Sequence, residues 1–127
     1  PAGLDPRERI TVRNVLSEYA REHIVLLSTH AISDIEAAAS RLMIMKKGIL
    51  LFDGAPGELM EQASGHVWEY TRSSGENISD LSGISSMIQQ KDSIKIRQIS
   101  AEMPCSSARP VEPTLEDACL YKLEVSL

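Results

Sequence analysis

Two short stretches carry residue types that could do chemistry. Ile24-Val25-Leu26-Leu27 is a wholly apolar run that ends in Ser28-Thr29-His30, two hydroxyls and an imidazole. Such a run is the pattern of a strand buried on both faces, as in a parallel sheet. In open α/β sheets, ligands bind beyond the carboxyl ends of the strands. His30 would stand at such an end, where an imidazole can exchange a hydrogen bond or a proton near neutral pH. The bland alternative is a histidine that only closes a strand or bonds within a loop. The second stretch is Ala2-Gly3-Leu4-Asp5-Pro6, with Asp5 placed 25 positions before His30. Asp5 and Pro6 open a helix there.

Other reactive residue types are scattered. His23 and His66 have no cysteine pairs beside them, and Cys105 and Cys119 lack C-x-x-C spacing, so no metal site is expected. The two cysteines read as reduced thiols or small core residues. His23 and His66 read as surface or packing residues. The 127 residues carry a net charge of −5. Residues 1–64 hold 7 basic and 9 acidic side chains, and the rest hold 6 and 9. Neither part has the basic footprint of a nucleic-acid binder. No apolar run approaches the roughly 20 residues that span a bilayer.

The elements that must position these residues follow from periodicity and caps. Asp5, with Glu8 three residues on, starts a helix running to about Glu22. Val12, Val15, Leu16, Tyr19 and Ala20 form its apolar stripe, and Arg7, Arg9, Arg13, Glu18 and Arg21 its wet side. A strand over 24–29 comes next. Ser33-x-x-Glu36 then reads as a capping box for a second helix, with Ile35, Ala38, Ala39 and Leu42 on one face. Helix, apolar strand, helix is the crossover order of an α/β fold. Met43–Met45 and Ile49–Phe52 flank Lys46-Lys47-Gly48 as a β-hairpin whose lysines form a solvated tip. A short helix starts at Pro56 and ends near Ala63.

Gly65 reads as a boundary, after which the pattern becomes α+β. His66–Arg72 is a strand with Trp68 and Tyr70, read as core. Ser73–Asn77 is a loop, and Ser79–Gln90 reads as a weak helix through Leu81, Ile84 and Ile88. Ile94, Ile96, Ile99, Ala101 and Met103 change phase, which suggests one bulged strand. Pro104–Pro113 is extended, an edge strand. Thr114 and Asp117 cap a last helix with Leu115, Ala118, Cys119 and Leu123 on one face.

Taken in order, four of these segments resemble an ATP-binding cassette ATPase. They are Ala2-Gly3-Leu4-Asp5-Pro6, Leu27-Ser28-Thr29-His30, Asp53-Gly54-Ala55-Pro56-Gly57-Glu58-Leu59 and Pro113-Thr114-Leu115-Glu116-Asp117. The resemblance implies that Ala2, Gly3, Leu4 and Asp5 form the D-loop, which reaches across a dimer interface toward the partner's nucleotide. It implies that His30 is the catalytic switch histidine at the γ-phosphate. Phosphoryl transfer is mostly positioning and charge stabilisation, which an imidazole and a close backbone can serve. The last segment is similar to one near the end of drug and peptide exporter subunits.

The phosphate loop G-x-x-x-x-G-K-S/T and the L-S-G-G-Q signature do not occur. The expectation is therefore a C-terminal piece of a longer transport ATPase. Residues 1–64 would be the α/β tail of its P-loop NTPase domain, and 65–127 a small α+β accessory module. The parent would use ATP and Mg2+, pair with a second ATPase subunit, and work at the inner face of the cell membrane beneath a separate permease. The piece alone would hold neither ATP nor Mg2+, would be inactive, and would self-associate, most simply as a two-fold dimer using residues 1–52 with their unpaired 24–29 strand. Two other classes remain open. One is a free-standing interaction module in which His30 is structural. The other is a related ATPase of DNA maintenance.

Overall fold

The computed structural model describes residues 3–73, 75–76 and 81–125. Ala2 therefore lies outside the described residues, as do Ser79 and Asp80 of the predicted weak helix. Helix α1 (Pro6–Tyr19) opens as the caps require: the Asp5 carboxylate accepts the Glu8 N–H at 2.9 Å, and Glu8 accepts the Asp5 N–H at 3.4 Å. None of its residues is buried, and Val15 and Tyr19 of its apolar stripe are exposed.

The chain from 24 to 29 is not the buried strand the sequence predicts. It has no regular structure, and Ile24 and Leu26 are 99% and 82% exposed. The reason is partnership. A parallel strand needs ladder neighbours, and every described strand here is paired antiparallel with another.

Helix α2 (Ile32–Ala38) begins one residue before Ser33, so the expected Ser33–Glu36 box does not form, and its N-cap is Ala31. It is also shorter than predicted: Leu42 belongs to the next strand. β1 (Leu42–Lys46) and β2 (Ile49–Gly54) form the expected hairpin. Lys47 and Gly48 both take positive φ, 50° and 78°, the geometry of a type I′ turn. Lys46 is not a solvated tip, because its ammonium donates to the Leu123 carbonyl at 2.7 Å.

Helix α3 (Pro56–Gln62) follows, then a sheet of order β4-β5-β3-β6. Its strands are β3 (Val67–Ser73), β4 (Ile84–Gln89), β5 (Ser93–Ile99) and the two-residue edge β6 (Arg109–Pro110). The helix expected over 79–90 is instead strand β4. Leu81, Ile84 and Ile88 mimic helical spacing, yet β4 folds back on β5 with Gln89 opposite Ile94. Gly83 makes the entry possible. It has φ +74°, and a Cβ there would lie 2.2 Å from the Ile99 carbonyl oxygen.

Gly83→Ala is expected to cost about 1–3 kcal/mol, the range for a strained left-handed residue. Urea denaturation would check it, and an unchanged midpoint would count against the close approach.

The phase change after Ile96 is not a bulge in β5. Ile96 and Ile99 lie on opposite faces, each fully buried in its own cluster. The bulge is in β4, between Ile84 and Ser86. Helix α4 (Leu115–Leu120) carries the predicted box, with Thr114 and Asp117 capping each other, and a π-turn over Tyr121–Val125 ends it.

One core joins the hairpin (Leu42, Ile44, Phe52), α3 (Leu59 and its cap Ala63), the sheet (Val67, Ile99) and α4 (Leu115, Ala118, Cys119). It runs straight across Gly65. The other sheet face buries Tyr70, Ile96 and Ala108, with Trp68 against them. His23 stacks on Tyr19 at the exposed surface and the half-buried His66 stacks on Tyr121, in line with the reading of the two as surface or packing residues. Among the described residues, no helix is long and apolar enough to cross a membrane.

Candidate functional site

Helix α1 starts from the glycine-containing loop, and α2 starts one residue after Ala31, just past His30. Two arginines bring these helix starts together. Arg9 Nη2 lies 3.6 Å from Asp34 Oδ1 on α2, and Arg13 Nη1 donates to the Ser33 carbonyl at 3.0 Å. Both arginines fall on the face assigned to water by periodicity. Their signal was present in the sequence: positions 9 and 13 are i, i+4, one above the other on a helix.

His30 is exposed, and the chain around it is held from both sides. The Thr29 hydroxyl donates to Asp34 Oδ2 at 3.1 Å and accepts the Ala31 N–H at 3.0 Å. The Asp34 N–H in turn donates to the Ala31 carbonyl. Asp34 is 1% exposed. Burying a carboxylate is costly unless it is paired and hydrogen-bonded, and here a guanidinium and a hydroxyl do both. The imidazole makes no hydrogen bond to the described residues.

Gly3 stands at φ +83° with open space where a Cβ would go. Leu4 is half-buried and Asp5 is exposed. Asp5 is engaged as the α1 cap, so its carboxylate is committed to the chain's own N–H groups. The sequence-predicted residues thus divide. Gly3, Leu4, Asp5 and His30 sit at the starts of two linked helices, while Ala2 lies outside the described residues. Asp34, Arg9 and Arg13 were not singled out as site residues by sequence reasoning, and Thr29 entered only as part of the Ser28-Thr29-His30 run.

Among the described residues no three His, Cys, Asp or Glu side chains converge. What the site can offer is one exposed imidazole on a braced turn, able to donate to or accept from an oxygen presented from outside the chain.

A second polar cluster lies on the sheet, beneath α4. Arg97 donates to Asp117 (2.6 Å), to Glu69 (3.1 Å) and to the Glu112 carbonyl (2.8 Å). Arg109 bonds the other Glu69 oxygen at 3.2 Å. Burial would raise the Asp117 carboxyl, but the Arg97 guanidinium and the Thr114 amide and hydroxyl outweigh it and hold it below the ordinary range. These bonds fasten α4 to the sheet. Cys119 is a buried core thiol, pushed up by that burial.

The chain is similar to ATP-binding proteins of ABC transporters over about half its length. An uncharacterized ABC transporter ATP-binding protein of Bacillus subtilis is 33% identical over 67 residues, 53% of this chain and 23% of that protein. The energy-coupling factor transporter ATP-binding protein of Clostridium tetani is 29% identical over 63 residues, 48% of this chain and 22% of its own length. A phosphonates import ATP-binding protein of Wolinella succinogenes is 29% identical over 100 residues, covering 73% and 36%. The chain therefore spans about a quarter to a third of the length of these relatives. No protein-family model matches, and no solved structure matches significantly.

Proposed function

We propose that this chain is a C-terminal part of the ATPase subunit of an ABC transporter. In this reading Ala2, Gly3, Leu4 and Asp5 face a second ATPase subunit, and His30 contacts the terminal phosphate of ATP. Residues 1–64 complete the nucleotide-binding domain, and 65–127 form an accessory module seated on its hairpin and α3. A separate permease carries the substrate across the membrane, and the ATPase sits on its inner face. ATP and Mg2+ are held by parts of the parent that this chain does not supply. Export rests only on the Pro113–Asp117 resemblance, and one relative is named for import, so the proposal is limited to transport.

One observation carries it: the two motif segments start neighbouring helices that are joined by Arg9 and Arg13. That link supports the reading, because positioning catalysis needs loop and histidine held near one another.

The test is His30→Ala in the full-length ATPase. Hydrolysis should fall about 100-fold, the scale of losing one transition-state donor, and by a far larger factor than nucleotide affinity. Equal loss of both would remove the switch role.

The same reading explains the bare 24–29 segment as a strand awaiting a sheet. The chain by itself should then self-associate at micromolar concentration, since open apolar edges invite pairing. Light scattering should find a dimer or larger species, and Leu26→Lys should return it to monomer. A monomeric wild-type chain would refute this.

A further inference from the structure

We infer that Asp34 is a positioning residue for His30, acting through the Thr29 hydroxyl and tying the His30 turn to helix α1. The inference rests on the reading of His30 proposed above.

The argument starts from the hydroxyl. A threonine has one O–H to donate and lone pairs to accept with. The ionised Asp34 carboxylate can only accept, so the Thr29 proton must point at Oδ2, 3.1 Å away. That leaves the Thr29 oxygen's lone pairs free for the Ala31 N–H, 3.0 Å away. The residues on either side of His30 are therefore joined through a single oxygen whose orientation Asp34 dictates. Without that acceptor the hydroxyl could rotate, and the amide bond that shapes the turn would lose its fixed partner.

The other end of the link is α1. Asp34 Oδ1 faces Arg9 at 3.6 Å, and the Arg9 N–H donates to the Asp5 carbonyl at 3.0 Å in the first turn of that helix. A path of direct contacts thus runs from Asp5 through Arg9, Asp34 and Thr29 to the backbone on both sides of His30. Asp34 is nearly inaccessible, so it cannot itself touch a ligand presented at the exposed imidazole. Its role is to place a histidine.

Two measurements test this separately from the His30 assignment. The first uses the 127-residue chain and needs no nucleotide. Hydrogen exchange at the Ala31 amide should accelerate at least about 10-fold in Thr29→Val and in Asp34→Ala, while the β5 amides keep their protection. Thr29→Ser, which keeps the hydroxyl, should restore the slow rate. An Ala31 rate unchanged in Thr29→Val would overturn the proposal, and fast exchange throughout the chain in Asp34→Ala alone would leave Thr29→Val to decide it.

The second uses the full-length ATPase. Thr29→Val should lower kcat about 10-fold with nucleotide affinity within about 2-fold, and it should add nothing in a His30→Ala background, because residues acting as one unit are not additive. Additive losses would overturn the positioning role. If His30→Ala alone left hydrolysis intact, the switch reading would fall, while the exchange experiment would still report whether Asp34 sets the turn.

Discussion

Arg97→Ala is expected to cost about 3–5 kcal/mol, the range for removing one partner of a buried ion pair. Asp117 is 2% exposed and keeps its charge because Arg97 supplies two of its nitrogens to both carboxylate oxygens. Without the guanidinium, the Thr114 N–H and the Ser85 hydroxyl remain near Asp117, but no cation does. Glu69 would also lose a partner, retaining Lys95 and Arg109. Set against a total stability of about 5–15 kcal/mol for a domain, this loss would bring the chain close to unfolding. Arg97→Met keeps most of the stem volume, so it separates lost packing from lost charge.

The pH dependence carries a sign that checks the cause. In the wild type the folded-state Asp117 carboxyl lies below its unfolded value. Its contribution is therefore full above the ordinary carboxylate pKa of about 3.9 and is lost as pH falls through the folded value. In the variant, burial without a cation pushes the same carboxyl up, so protonation relieves the fold. The gap between wild type and Arg97→Met should be widest at neutral pH and should close toward pH 3. Urea midpoints across that range measure it. A pH-independent gap, or one below about 1 kcal/mol, would mean the pair is only a surface contact.

The contrast between what could and could not be read from the sequence follows from range. Asp5 with Glu8, Thr114 with Asp117, and Lys47-Gly48 each act within three residues, and each is in place. The run at 24–27 reads as buried because its side chains are apolar, but burial is a property of neighbours, and no described strand pairs with it. Residues 84–89 satisfy helical spacing and strand pairing alike, and the choice is made by β5 and by the close approach of Gly83 to Ile99. The phase shift in β5 looked like a bulge because a strand with two buried faces breaks simple alternation.

The site divides the same way. His30 could be singled out by its position after an apolar run, and Asp5 by its cap. Asp34, and the bond that Thr29 makes to it, could not, because the value of Asp34 comes from burial against Arg9. That burial exists only once α1 and α2 meet. Helix periodicity placed Arg9 and Arg13 in water because it assumes the apolar stripe faces the core. Here Val15, Tyr19 and Ala20 of that stripe are exposed and Val12 and Leu16 only half-buried, while Arg9 and Arg13 make polar contacts to α2.

Leu59→Ala is expected to cost about 2–5 kcal/mol, and it tests whether the two halves of the chain are independent. Leu59 is fully buried on α3, and the truncation would remove three carbons from a cluster that cannot fully collapse around the gap. Its cluster includes Val67 and Ile99 of the sheet and Ala118 and Cys119 of α4, all beyond Gly65. Lys122 also reaches back to Gln62 at 3.2 Å, and Lys46 to the Leu123 carbonyl. If these contacts hold the halves together, the loss should appear as one transition shared by hairpin and sheet. Trp68, which lies on β3 beyond Gly65 and donates to the Ser100 carbonyl, reports the sheet by fluorescence. Far-ultraviolet circular dichroism reports α1 and α3 with it. Both signals should shift to the same lower urea midpoint in Leu59→Ala, as two-state coupling requires. A Trp68 midpoint that stays at the wild-type value while the helical signal moves would show that the residues after Gly65 fold by themselves, and that the shared core contributes contact without cooperativity.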